Sequence, residues 1–304
     1  MSVILTNWDS SDNQDVFKTL VRKTFDSTDR EAVIESSRLY NMLGTKDLYE
    51  RTMRFAGLPT GTEVGEGEEI EIFSPKFGQT KDYTVKQYGL GFRYSWLFKK
   101  TEKWNLLKKW TRNLSLKQKE LKDIELAKLW NSPTATYTGY VAGLYLGSAS
   151  QTCLDDSAST YNNLLSAALS VTALQSAKYY FDKMKDDQGA TFFAKPDLLY
   201  FEATLDPTVQ EILKSSLKPH ELSNTTNIWK GMYEPYMYRR LTSTTAWGLL
   251  ATKHDLYDVN CFTLSEPDSD VAPAPNNSRD TVITSLQAFS SGFGDPRMCL
   301  IGNV

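Results

Sequence analysis

Residues 101 to 131, TEKWNLLKKWTRNLSLKQKELKDIELAKLWN, contain neither glycine nor proline. Leu107, Trp110, Leu114, Leu121 and Ile124 fall on one helical stripe, as expected of an amphipathic helix with a buried face. The stretch predicts one long helix. It opens near Thr101 and Glu102 and is closed by Ser132-Pro133, because the residue before a proline is driven out of helical geometry. Any fold for this chain has to be arranged around that element. Its charge is lopsided: from Lys99 to Lys128 there are ten Lys or Arg against four Asp or Glu, an excess of +6. Lys108, Lys109, Arg112, Lys117, Lys119 and Lys122 are therefore candidate contacts for an acidic partner, although a solvated helix face is the commoner source of such a run.

Upstream, residues 62 to 92 read TEVGEGEEIEIFSPKFGQTKDYTVKQYGLGF, two β-type runs around a Pro/Gly-containing tip. The first run alternates Glu69, Ile70, Glu71, Ile72 and predicts a strand. Residues 62 to 75 hold five glutamates, Glu63, Glu66, Glu68, Glu69 and Glu71, and no base. The second run alternates Tyr83 and Val85, after which the apolar phase moves to Tyr88, Leu90, Phe92, Tyr94, Trp96 and Phe98. A one-residue change of phase turns every side chain to the other face, so a bulge or sharp twist is expected near Lys86 to Tyr88. There the ribbon would leave the body of the molecule. An isolated hairpin is marginally stable, so this one needs another surface to lean on.

Elsewhere the signals mix helix and strand. Phe17, Leu20, Val21 and Phe25 have helical spacing and suggest an amphipathic arm within residues 1 to 30. Residues 30 to 55, REAVIESSRLYNMLGTKDLYERTMRF, read as a second helix that Gly57 to Gly61 stops. After Pro133 the small and polar residues predict loop and short strand. Leu174, Ala177, Phe181 and Met184 then mark one face of a helix closed by the turn at 186 to 189. The run KPDLLYFEATL predicts a strand, and Asp206-Pro207 an N-cap and first-turn proline for the helix that follows. Residues 229 to 253 read as strands. SEPDSDVAPAPNNSRD, residues 265 to 280, reads as a loop between two strand-like runs. The fold class is α+β.

Signatures of chemistry are missing where they would be needed. The chain has two histidines, His220 and His254, too few for a histidine-based metal centre or triad. No G-x-S-x-G, Walker A or post-strand G-x-G-x-x-G pattern occurs. The acids Glu266, Asp268 and Asp270 lack the glycine and closing glutamate of a calcium loop. The pairs Asp155-Asp156 and Asp186-Asp187 read as solvated turn acids. Gly139, Gly143 and Gly147 sit in too short an apolar run for a membrane dimer motif and read as loop flexibility. Cys153, Cys261 and Cys299 lie far apart without a C-x-x-C and are expected as free thiols. With a net charge of -3, no global imbalance points to nucleic acid or membrane. The start, MSVILTNWDSSDNQDV, has no basic n-region and only a short apolar run, which suggests use in a cytosol-like compartment. No catalytic residue, cofactor or metal is expected.

An arm, a projecting ribbon, one long helix, an inserted α+β region and a final strand region form an unusual order. That order resembles the major capsid (head) proteins of tailed phages, with the Hong Kong 97-type shell fold. The best-matching stretches are GQTKDYTVKQYGLGFRYSWLF leading into the long helix, LSVTALQSAKYYFDKMKDDQGATFFAKPDLLYFEATLDPTVQEILKSS, YRRLTSTTAWGLLA and the terminal GFGDPRMCLIG. They are most similar to the Mu-like head-subunit branch. The resemblance implies an N-terminal arm at 1 to 59, an extended loop at 60 to 90, a peripheral domain at 91 to 132 and 256 to 304, and an axial domain at 133 to 255. It also implies self-assembly into hexamers and pentamers of an icosahedral shell, with separate scaffold, portal and decoration proteins. The packaged double-stranded DNA would be touched non-specifically and no membrane is involved. The extended loop would lie across a neighbouring subunit through Glu63, Glu66, Glu68, Glu69, Glu71 and the apolar Ile70, Ile72, Phe73 and Phe77. Its charges would steer and set register more than hold the shell. Lys76 and Lys81 are conceivable donors for an isopeptide cross-link, which is not predicted because nothing identifies an acceptor. The alternatives are an encapsulin-type compartment shell, a soluble hydrolase or transferase with an unrecognised site, and a carbohydrate-binding module.

Overall fold

In a computed structural model, residues 11–55, 61–70, 72, 77–101, 104–153, 159–217, 225–275 and 279–303 are described. Helix α1 spans Ser11–Glu31 and is followed by a short 3-10 turn at Glu35–Arg38. Strands β1 (Asn41–Gly44), β2 (Tyr49–Phe55), β3 (Phe77–Thr84) and β4 (Lys86–Tyr94) come next. Helices α2 (Trp96–Lys100) and α3 (Trp104–Asn131) follow. Short strands β5 (Gln151–Thr152), β6 (Thr160–Tyr161) and β7 (Leu164–Leu165) lead to α4 (Val171–Asp182) and β8 (Leu198–Phe201). The chain continues through α5 (Asp206–Lys214), β9 (Glu234–Met237), β10 (Trp247–Leu250), β11 (Val259–Pro273), β12 (Thr281–Phe293) and β13 (Cys299–Gly302).

Two sheets carry the architecture. One has the order β1-β11-β12-β4, the other β7-β13-β10-β8-β9. Against the first sheet pack α1 and the N-terminal half of α3, enclosing Phe17, Val21, Phe25, Tyr94, Leu107, Leu114, Val271 and Ile283. The three buried apolar residues of α1, Phe17, Val21 and Phe25, recur every fourth position, and each contributes about 1.5–3 kcal/mol by leaving water. The second sheet reads LLYF, WGLL and CLIG along β8, β10 and β13, buried at every position. Such unbroken apolar runs are what strands covered on both faces require. Leu174, Ala177 and Phe181 of α4 and Val209, Ile212 and Leu213 of α5 join the same core. So do Leu126, Leu129 and Trp130 from the C-terminal half of α3. One helix, about 42 Å long for its 28 residues, is therefore part of two cores.

The long helix and α4 lie where periodicity puts them, and Ser170 caps α4 by accepting from the Ala173 amide at 3.1 Å. None of the three cysteines forms a disulfide, and all three are buried. The expected phase change also has a physical counterpart. At Val85 the chain passes from β3, paired with β2, to β4, paired with β12.

Other expectations fail. Residues 41–44 and 49–55 are strands, not helix: β1 runs parallel to β11 from Asn41↔Asn260 to Gly44↔Thr263, and β2 pairs with β3. Short apolar runs are ambiguous between the two periods, and here partners supplied by distant sequence decide. Residues 265–273 are likewise strand and not loop. Pro267 and its acids are accommodated by register shifts at Thr263/Ser265 and Ser265/Asp268, as at a bulge. Because β1 flanks β11 only at residues 260–263, the missing amide of Pro267 costs no ladder bond on that side. Glu266, Asp268 and Asp270 are thus strand residues, and among the described residues no group of side chains could hold a metal ion. Leu205 occupies the cap position of α5, so Asp206 lies inside its first turn and accepts from Gln210 Nε2 at 3.0 Å. Thr101 ends α2 by donating to the Leu97 carbonyl. The terminal strand β13 belongs to the second sheet, between β7 and β10.

Candidate assembly surfaces

Among the described residues, the Glu-rich run contains no strand. Gly61–Ile70 is irregular, turning at Glu66 and Gly67, where Gly67 has φ of 86°. The Glu68 carboxylate accepts from the Gly65 amide at 3.1 Å and so holds the turn. Glu63, Glu66, Glu68, Glu69 and Ile70 are exposed, and Ile72 is 90% exposed. Glu71 and Phe73 lie outside the described residues, and Phe77 is the first residue of β3. Like charges at 66, 68 and 69 and glycines at 61, 65 and 67 weaken any strand. The partner of β3 is instead β2, whose Arg51 faces Asp82 in register with paired bonds of 2.6 and 2.8 Å. The described glutamates, Glu63, Glu66, Glu68 and Glu69, are exposed and lie in the segment between β2 and β3.

This ribbon lies on its own subunit for much of its length. Lys81 Nζ donates to the Thr138 carbonyl at 2.7 Å, and partial burial holds its ammonium pKa below the usual lysine value. The Tyr83 ring, 2% exposed, packs on Phe262 at 5.0 Å. Toward the tip, Arg54 is buried against Asp187 and Asp295.

The six candidate cations of α3 fall into four groups. Lys108 and Lys109 are exposed, with no ion pair among the described residues. Arg112 reaches Glu31 at 3.3 Å and Lys117 reaches Glu120 at 2.5 Å, all on the surface. Lys119 caps the C-terminal end of α1, donating to the carbonyls of Asp29 and Ala32 and pairing with the Asp29 carboxylate at 3.3 Å, as a cation at a helix C-terminus does. Lys122 departs from expectation. Its side chain is 1% exposed, bonded to Thr263 Oγ1 at 3.1 Å and Glu266 at 3.3 Å, so it faces the first sheet and no outside partner. Beside this helix, a cavity of about 270 Å³ opens at the free edge of β4, lined by Leu90, Phe92, Trp110 and Leu114 together with Arg93 and Lys117.

Sequence reading missed a buried charge cluster. Asp186 closes the turn after α4, its carboxylate accepting from the amides of Gln188 (3.0 Å) and Ala190 (2.8 Å). That turn sends Asp187 inward, so of the pair read as solvated turn acids only Asp186 fits; Asp155 and Asp156 lie outside the described residues. Asp187 meets Arg54 and, at 3.3 Å, Arg297. Arg297 Nε chelates Asp295 at 2.8 and 3.0 Å, and Asp295 returns to Arg54 at 3.3 Å. Burial raises the Asp187 pKa despite its two guanidiniums. At Asp295 burial pushes the same way, but Arg297 and Arg54 outweigh it and hold the carboxyl below the usual range. The available signal was the Asp-x-Arg of GFGDPRM.

No family model matches this sequence, and no curated protein matches it. Solved structures do match. The capsid of the cyanophage P-SCSP1u aligns over 87% of this chain and 86% of its own, with a TM-score of 0.59 at 8% identity. The procapsid of bacteriophage JBD30 aligns over 96% of this chain and 75% of its own, with a TM-score of 0.55 at 9% identity. A virus-like particle from Pyrococcus furiosus aligns over 94% and 98%, with a TM-score of 0.51 at 8% identity. The mixed helix and sheet architecture of this chain is thus like that of solved phage capsids. This chain has the Hong Kong 97-type fold of tailed-phage capsid subunits.

Proposed function

We propose that this chain is the major capsid protein of a tailed double-stranded DNA phage, a structural protein and not an enzyme, which self-associates into the hexamers and pentamers of an icosahedral head. The observation that carries this reading is the fold likeness to phage capsids over most of both chains. In these terms the arm is residues 1 to 59 and the extended loop 60 to 90. The peripheral domain is built on the first sheet and α3, and the axial domain on 133 to 255 with β13 added. The segment at 63–72 reaches a neighbouring copy and meets basic residues near the β4 edge, where Arg93 and Lys117 adjoin Trp110. Lys108 and Lys109 are placed for non-specific, salt-sensitive contact with packaged DNA or with a neighbour. Separate scaffold, portal and decoration proteins complete the particle, which assembles in the host cytoplasm and is located in the virion.

A second reading, a compartment shell that encloses protein cargo, is favoured by the near-complete mutual coverage with the Pyrococcus furiosus particle. One experiment addresses both. The chain is expressed alone and with its genomic neighbours, the product is imaged by electron microscopy, and the contents are assayed for nucleic acid. Capsomer rings or uniform shells are expected, with DNA in particles made during infection. A strict monomer under every condition would overturn both readings, and protein-filled shells would select the second.

A further inference from the structure

We infer that Arg54, Asp187, Arg297 and Asp295 form a latch that seats the β2–β3 ribbon on its own subunit, so that the acidic connection leaves the molecule from a base fixed before any neighbour arrives. The four side chains are 8%, 5%, 4% and 6% exposed. They alternate in sign and close on themselves: Arg54 to Asp187, Asp187 to Arg297 at 3.3 Å, Arg297 to Asp295 at 2.8 Å, and Asp295 back to Arg54 at 3.3 Å. Each charge has two opposite partners, which is the condition under which ions survive burial. Three of the four come from outside the ribbon, one from the turn after α4 and two from the segment that joins the two sheets at β13. Only Arg54 belongs to the ribbon. Removing it strips the ribbon of its one charged tie there, and leaves two carboxylates around a single guanidinium.

The surrounding chain is shaped to keep Arg54 in place. A Cβ at Gly78, across the ribbon, would collide with the Arg54 carbonyl. The Phe192 ring lies 5.7 Å from the Arg297 guanidinium carbon and covers it. A surface ion pair would cost little to open, since water replaces each partner. A buried one resists, because opening it leaves charges without solvent. The cluster therefore acts on the ribbon as a catch, with no dependence on the chain's place in a shell.

The test uses the full chain and two variants, each compared with wild type in the same fraction from size exclusion. Arg54→Met alone leaves the cluster with unbalanced charge and is expected to perturb the turn after α4 as well. Arg54→Met with Asp187→Asn restores neutrality around the remaining Arg297–Asp295 pair. Hydrogen–deuterium exchange is followed in peptides covering 49–54 and 78–84, and in peptides covering 198–201 and 247–250. In the double variant the ribbon amides should exchange about tenfold faster or more, while β8 and β10 keep their protection. Unchanged ribbon exchange in the double variant would overturn the inference, since Lys81 and Tyr83 would then suffice to seat the ribbon. Equal loss in ribbon and second sheet would also overturn it, because the cluster would then be a general prop of the fold.

Discussion

Lys122 of α3 and Glu266 of β11 are paired at 3.3 Å although the lysine side chain is 1% exposed and the glutamate 64%. The ammonium is enclosed between helix and sheet, 5.7 Å from the centre of the Phe289 ring, and its counter-charge stands at the water boundary. This asymmetry predicts unequal mutational costs. Lys122→Met keeps the packing stem and removes the charge, and should change stability by less than about 1 kcal/mol. Glu266→Gln leaves the buried ammonium weakly compensated and should cost about 1–3 kcal/mol. Urea unfolding midpoints of the two variants check the order, and equal costs would contradict it.

The acidic connection should act through charge. Glu68→Lys with Glu69→Lys and Glu71→Lys replaces three negative charges on an exposed segment that makes no core contact at Glu68 or Glu69. Thermal stability of the unassembled chain should change little. Assembly yield at low salt should fall, and raised salt should narrow the difference as the charges are screened. Light scattering across a salt series reads both, and assembly that is unchanged at low salt would remove the electrostatic role.

Acid should loosen the ribbon before it unfolds the protein. Asp187 faces Arg54, Arg297 and Asp295, and its pKa is raised by burial. Tyr161 lies in the same field, and Asp258, bonded to Tyr140, adds to the negative charge at Asp295. A carboxyl with a folded pKa above its unfolded one takes up its proton in the native state, so protonation of Asp187 favours the folded form while it weakens the tie to Arg54. Asp295 has the opposite sign. Its folded pKa is depressed, so the stability it contributes is present above the ordinary value of 3.8 and is lost as pH falls through the depressed value. Protection of the amides in 49–54, taken relative to the intrinsic exchange rate at each pH, should fall at a higher pH than the loss of ellipticity, in a titration from about pH 6 to about pH 3. Coincident transitions would contradict this.

Gly248 marks a place where the second sheet has no room. A Cβ there would meet the Leu300 carbonyl oxygen and stand 2.5 Å from the Tyr200 ring. Gly248→Ala should destabilise by about 1–3 kcal/mol, toward the upper end because one obstacle is backbone. A melting temperature equal to wild type would show that β10 and β13 can part without cost.

Much of this was legible beforehand because it is written in local periodicity. The helix over 104–131, the face of α4 and a change of partner near Lys86 each depend on neighbours in sequence, although Ile124, read onto the buried stripe, is 41% exposed and the pairing switches at Val85. The strands β1 and β2 were misread because their identity depends on β11 and β3, which lie far along the chain, while their own apolar spacing fits a helix as well. Pro267 and its neighbouring acids imitate a loop, and only the open edge of β11 makes them acceptable in a strand. The order of elements was enough for the fold. Which lysines of α3 face outward was not, because Lys119 and Lys122 carry the same charge as Lys108 and differ only in what α1 and β11 place beside them. The four buried charges were hidden for the same reason: Asp187 looks like any turn acid until Arg54 and Arg297 are brought to it.

Helix α3 contributes Leu107 and Leu114 to one core and Leu126, Leu129 and Trp130 to the other. Neither sheet can tilt against the other without dragging a face of that helix across its own packing. A push delivered at the exposed Lys108 end is therefore felt at Trp130, wedged between Tyr40 and Tyr200, much as a floor joist carries a footstep to both walls.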